Sequence, residues 1–168
     1  MTGKELERFL GQLATYSLIR LDAVGRALRA ADLLPTGGRG LAAASLDPTH
    51  VANFLIAMSL EGTPSKAASR VPEYRHLRLK APKQGAVETF GEMIDALLTQ
   101  GVGRASVSIV REYPRATVTI NGQTAVFGVQ RPAVYSETLI APNIFKSLLL
   151  AVKPNRPPKL ISLQWDKE

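Results

Sequence analysis

The chain contains no cysteine, two histidines and a single tryptophan among its 168 residues. The missing thiols exclude a disulfide framework, thiolate metal sites and cysteine nucleophiles, and they fit a reducing compartment. With only His50 and His76, imidazole chemistry is scarce too. Long apolar runs are also lacking. No stretch approaches the roughly eighteen residues a membrane span requires, and the opening MTGKELERFL is charged. A soluble, cytoplasmic protein without membrane contact is the expectation, with no cofactor and no metal.

What is present is a substantial apolar content, 45% of the residues, enough to bury a real core. Twenty-one Lys and Arg against fourteen Asp and Glu give a net charge of +7. Such a surface attracts phosphates, nucleic acid or another acidic partner.

Periodicity divides the chain into three zones: 1–61, 62–85 and 86–168. In the first, Leu6, Phe9, Leu10 and Leu13 share one helical face. A second helix is expected with Asp22 as its cap and Val24, Leu28 and Ala31 as its buried stripe, stopped before Pro35. After the glycine loop, Asp47-Pro48 supplies an N-cap with Pro at the first helical position, and Val51, Phe54, Leu55 and Met58 follow at helical spacing. The second zone holds three prolines and the bases Lys66, Arg70, Arg75, Arg78, Lys80 and Lys83, and reads as a basic linker or exposed arm. The third zone opens with a helix carrying Phe90, Ile94, Leu97 and Leu98. ASVSIV, ATVTI and TAVFGV then alternate with period two, and Asn121-Gly122 marks a type I′ hairpin. The inward set of this three-stranded meander is expected to be Val107, Ile109, Val118, Ile120, Ala125, Phe127 and Val129, covered by the 90–98 helix or by NIFKSLLLAV. KLISLQW is a candidate last strand at an edge.

VGRALRAADLLPTGGRG followed by LDPTHVANFLIA resembles a winged helix-turn-helix of the kind found in MerR-type regulators and phage-derived DNA-binding proteins. The resemblance covers the first third of the chain. It implies an N-terminal winged helix-turn-helix, which with the small antiparallel three-stranded sheet and covering helices read from the periodicity makes the expected class α+β. It also implies that Gly37, Gly38, Arg39 and Gly40 form the wing.

From the residues themselves, Arg26 and Arg29 fall opposite Val24, Leu28 and Ala31 on a helix, where a major groove could receive them. A solvated face paired with Asp22 and Asp32 is the competing reading. Three glycines around Arg39 let the backbone approach a phosphate. Neither a Walker A sequence nor GxGxxG after a strand is present. Lys66 and Arg70 of the basic arm complete the candidate DNA contacts. Glu88, Glu92 and Asp95 are read as a solvated helical face, His50 lacks a second ligand at metal spacing, and no GxSxG elbow frames a serine. An enzyme is not expected.

The leading expectation is a sequence-specific protein for double-stranded DNA, a phage- or prophage-type transcriptional regulator acting as a homodimer. The alternatives are a small-terminase-like packaging subunit of higher homo-oligomeric order, and a module that binds an acidic protein partner without DNA.

Overall fold

A computed structural model describes residues 1–13, 16–37, 43–80, 87–100, 104–129 and 135–151. The chain builds helices α1 (Gly3–Leu13), α2 (Leu18–Ala30), α3 (Pro48–Ser59), α4 (Pro64–Arg75) and α5 (Phe90–Gln100). Strands β1 (Ala105–Val110), β2 (Arg115–Ile120), β3 (Gln123–Gly128) and β4 (Glu137–Ile140) follow, and then helix α6 (Pro142–Ala151). The class is α+β, as expected, but the sheet has four antiparallel strands rather than three, in the order β3-β2-β1-β4.

Helix α3 is the axis of the core. Asp47 caps it, accepting from the His50 backbone N–H at 2.9 Å, and Pro48 occupies the first turn. Every residue from Val51 to Ser59 is buried. A helix apolar on all sides must be surrounded, and α2, α4 and α5 pack around it. Helix α2 begins one turn earlier than Asp22 would place it. Ser17 is the cap, accepting from Arg20 N–H at 3.2 Å, and Asp22 lies inside the helix. Its end is set by Asp32 in the left-handed region at φ 55°, with Leu33 N–H returning to the Leu28 carbonyl at 2.9 Å.

Residues 64–75 correct the expectation of an exposed arm. Thr63 caps α4, Pro64 fits its first turn, and Ala67, Ala68, Val71 and Tyr74 form a buried stripe at helical spacing. One continuous cluster of buried side chains includes Phe54 of α3, Val71 and Tyr74 of α4, Phe90 of α5 and Phe127 of β3. The winged arrangement expected over 1–61 is not confirmed: α3 is enclosed by its neighbours, and the described flank of the glycine loop makes a single antiparallel bridge, Thr2 with Ser45. Gly38, Arg39 and Gly40, and the candidate strand KLISLQW, lie outside the described residues.

The hairpin forms as expected, with Asn121 at φ 51° and Gly122 at φ 86°, the positive pair a type I′ turn requires. Val107, Ile109, Val118, Ile120, Ala125 and Phe127 point inward and are buried. Val129 is instead 72% exposed, because β3 ends at Gly128, whose φ of +84° breaks the alternation. Phe90 of α5 meets Phe127 at 5.6 Å between ring centres, so the helices cover this inner face.

Candidate nucleic-acid interface

Arg26 and Arg29 both meet carboxylates of the fold. Lys4 bonds the Glu7 carboxylate at 2.7 Å and also Asp22, and Arg26 reaches Asp22 at 3.1 Å. Arg29, 28% exposed, approaches the buried Glu7 at 4.0 Å. The Lys4 hydrogen bond holds the Asp22 carboxyl below its usual range, and Asp22 in turn raises the Lys4 ammonium above its own. This is a ladder of alternating charge between α1 and α2. Arg26 still points to solvent, whereas Arg29 does not point freely outward as the helical spacing suggests.

Gly37 lines a cleft of about 670 Å³ with Lys4, Arg8 and Arg29. The α1 terminus at this cleft is capped from within the chain: Thr2 N–H donates to Glu5 Oε2 at 2.7 Å, and Glu5 N–H donates to Thr2 Oγ1 at 3.4 Å. Glu5 thus seats a carboxylate of the chain itself on this helix end, which disfavours a second anion there.

On α4 the two candidate bases part company. Lys66 is exposed, while Arg70 donates to the Arg111 carbonyl at 2.9 Å and to the Tyr74 hydroxyl at 3.1 Å. The Tyr74 hydroxyl, in turn, lies 2.6 Å from the Val110 carbonyl and 3.0 Å from that of Tyr113. Arg70 therefore ties α4 to the end of β1 and is not available as a ligand contact.

Glu92 and Asp95 of the third zone also have structural partners, which corrects their reading as a solvated face. Glu92 accepts from the backbone N–H groups of Glu88 and Thr89, both at 3.1 Å, and Asp95 takes a two-pronged bond from Arg75 at 2.6 and 3.2 Å. His50 Nδ1 accepts from Asp47 N–H at 3.3 Å. Among the described residues no group of three or more His, Asp or Glu is placed to hold a metal ion.

The outer face of the sheet is different. Strand alternation sends Ser106, Ser108, Thr117, Thr119, Thr124 and Val126 away from the core. Register then sets them in rows: Ser106, Thr119 and Thr124 in one, and Leu139, Ser108, Thr117 and Val126 in the next. Thr119 and Thr124 hydroxyls meet at 3.1 Å, and Ser108 bonds the Glu137 carboxylate.

The basic arm supplies a continuation of this surface. Leu79 pairs antiparallel with Phe127, Lys80 N–H donates to the Val126 carbonyl at 3.0 Å, and Gly128 N–H donates to the Arg78 carbonyl at 3.0 Å. Residues 78–80 thus lie along the outer side of β3 as a fragment of a fifth strand. Leu79 turns inward beside Phe127, so Arg78 and Lys80 must turn to the outer face. Both are exposed and make no ion pair among the described residues. Arg78 stands opposite Gly128, which admits no side chain: a Cβ there would lie 2.5 Å from the Pro114 carbonyl oxygen.

Arg115 completes that row. Its guanidinium sits 5.6 Å from the Tyr135 ring centre, and Tyr135 meets Tyr113 edge-on at 5.7 Å. A Tyr113 hydrogen bond raises the Arg115 guanidinium above its ordinary range, so the charge is permanent. Arg104, one residue before β1, has the parity of Ser106 and is exposed.

Of the candidate contacts read from sequence, Arg29 and Gly37 come together at the cleft, Arg26 is exposed but paired, Lys66 is exposed on α4, and Arg70 is structural. Arg78, Lys80, Arg104, Arg115 and Tyr135 were not among the candidates. For Arg78 and Lys80 a signal existed: Leu77, Arg78, Leu79 and Lys80 alternate apolar and basic with the period of a half-buried strand. No protein-family model, no curated protein and no solved structure matches the chain.

Proposed function

We propose that the protein binds DNA by laying its phosphate backbone on the outer face of the sheet. One observation carries this reading: the outward hydroxyls of Ser106, Thr119, Thr124, Ser108 and Thr117 share a face with Lys80, at the Val126 end of the second row, and with Arg78 in the row beyond, cations without carboxylate partners among the described residues. Hydroxyls and flexible cations are the groups that hold phosphate oxygens, and they position a duplex without reading its bases. Adjacent strands lie about 4.8 Å apart, so β4 to residues 78–80 spans roughly 19 Å, with Thr89 paired beyond Arg78, and this breadth is too great to enter a major groove of about 12 Å. Contact is therefore with the backbone across a groove. A net charge of +7 steers the encounter.

The test is fluorescence anisotropy of a short labelled duplex over a range of salt concentrations, with the double substitution Arg78→Ala and Lys80→Ala. Both side chains are exposed, so the thermal midpoint should hold while affinity falls about tenfold. The slope of log K against log salt should fall by about one for each phosphate contact removed. Unchanged affinity and slope would refute the reading. Regulator and packaging roles differ in assembly, dimer against closed ring, so the mass of the DNA-bound protein by light scattering separates them.

A further inference from the structure

Phosphate contacts at Arg78 and Lys80 leave one feature of the same face unused, the side chain of Tyr135. It is 36% exposed, and no other described aromatic side chain is as open. The backbone fixes its place. Arg111 N–H donates to the Ser136 carbonyl at 3.1 Å, and Ser136 N–H donates to the two Glu112 carboxylate oxygens at 3.0 and 3.1 Å. These bonds continue the pairing of β1 with β4 past Glu137 and set Tyr135 beside the end of β1.

From β2, Arg115 turns to the outer face, because its neighbour Ala116 is fully buried and successive strand residues point to opposite sides. Arg115 Nη1 donates to the Tyr135 hydroxyl at 3.4 Å, with the guanidinium carbon 5.6 Å from the ring centre. Tyr113, itself only 8% exposed, meets the Tyr135 ring at 84°. The ring is therefore held by two neighbours while part of it faces solvent. An aromatic plane already held in place gives up little freedom on binding, and a plane beside a cation is what a nucleobase stacks on.

The charges at this end of the sheet favour a base over a phosphate. Glu112 and Glu137 are both exposed here, the first on Ser136 N–H and the second on the Ser108 hydroxyl. Two carboxylates oppose a phosphate, whereas a base is neutral. The unpaired cations Arg78 and Lys80 lie at the opposite border, beside β3. Inside a duplex the bases already stack on one another, so only an unpaired base has a face to offer.

We infer that Tyr135, with Arg115 beside it, is a stacking platform for an unpaired base of the bound DNA. The inference rests on the sheet-face reading and deepens it: a surface that holds the backbone gains a preference for duplexes that end in single strand.

The test compares, by anisotropy, a blunt labelled duplex with the same duplex carrying a short thymidine overhang. The protein should bind the overhanging duplex about five- to tenfold more tightly. Tyr135→Leu should lower that affinity to the value for the blunt duplex and leave the blunt value unchanged. Tyr135→Phe keeps the ring and removes only the hydroxyl that meets Arg115, so it should retain the preference. A 2-aminopurine within the overhang gives a reading that needs no variant: stacked on the ring, its emission should fall on binding. Equal affinity for the two duplexes, or emission that does not fall, overturns the platform and leaves the sheet-face reading standing. An equal loss on both duplexes in Tyr135→Leu makes the residue structural and overturns it too. The sheet-face reading fails separately, and the platform with it, if neither duplex binds or if the Arg78 and Lys80 double substitution leaves blunt-duplex affinity unchanged.

Discussion

Two arginine-bearing surfaces of this protein use the same side chain for opposite ends. Between α1 and α2, Lys4, Arg26 and Arg29 alternate with Glu7 and Asp22, and each cation faces a carboxylate. On the outer sheet, Arg78 stands between Gly128 and Thr89, Lys80 stands beside Val126, and Arg115 stands against Tyr135. A cation already paired gains little from a phosphate, because it must first give up its carboxylate; one held only by water exchanges solvent and counterions for the ligand. Local charge balance, more than the number of arginines, separates a surface that holds the fold from one that can hold a polyanion.

The largest effect that sharpens this contrast belongs to Arg70, which the fold has withdrawn from the surface. Its partner Tyr74 is fully buried, and burial pushes the phenol up to about 12. Ionised, the oxygen would also face the carbonyls of Val110 and Tyr113. Since the folded pKa exceeds the ordinary value of about 10, the neutral phenol's contribution is complete below pH 10. It is lost as pH rises through 12. About 2 kcal/mol of stability should disappear across that window. Tyr74→Phe should be less stable at neutral pH, with three hydrogen-bonding groups left unmet, yet lose less on going from pH 9 to 12. Equal alkaline losses, measured by urea unfolding at both pH values, would show that Tyr74 and Arg70 are not locked as described.

A smaller effect comes from converting one surface toward the other. Asp22→Asn removes the carboxylate shared by Lys4 and Arg26 without changing side-chain size. If pairing is what keeps this ladder from DNA, the variant should bind a duplex several-fold more tightly at low salt, with a steeper salt slope. The gain should vanish at high salt, where screening removes it. No gain at any salt concentration would mean that position, and not neutralisation, keeps the ladder from DNA.

Much of the fold was legible where the determinants are local. Asp47-Pro48 announced α3, Asn121-Gly122 announced the hairpin, and period-two alternation marked six of seven inward residues. What escaped depends on distant partners or on conflicting local signals. Pro64 and Pro72 made 62–85 read as a linker, although Pro64 fits a first turn and Ala67, Ala68, Val71 and Tyr74 keep helical spacing around Pro72. Strand β4 is four residues long, with only Ile140 buried, so it has almost no pattern to read. The partner that draws Arg29 inward is Glu7, on another helix, and the neighbour that makes Arg78 part of a sheet face is β3. Helical spacing can show which side of its own helix an arginine occupies; it does not show what stands opposite.

Arg26 gives the smallest expected effect and the clearest separation between reading bases and solvating a helix. It is 70% exposed and pairs with Asp22 one turn earlier, an arrangement that suits the helix dipole but is screened by water. Arg26→Ala should shift the thermal midpoint by only about 1–2 °C in a chain of this size. On the sheet-face reading it should leave DNA affinity unchanged, on random duplex and on a selected preferred site alike. A base-reading arginine behaves differently: its loss costs roughly 1–3 kcal/mol on the preferred site and far less on random sequence. Anisotropy with both duplexes decides between them. A loss confined to the preferred site would restore α2 as a recognition helix and make the sheet face an auxiliary contact.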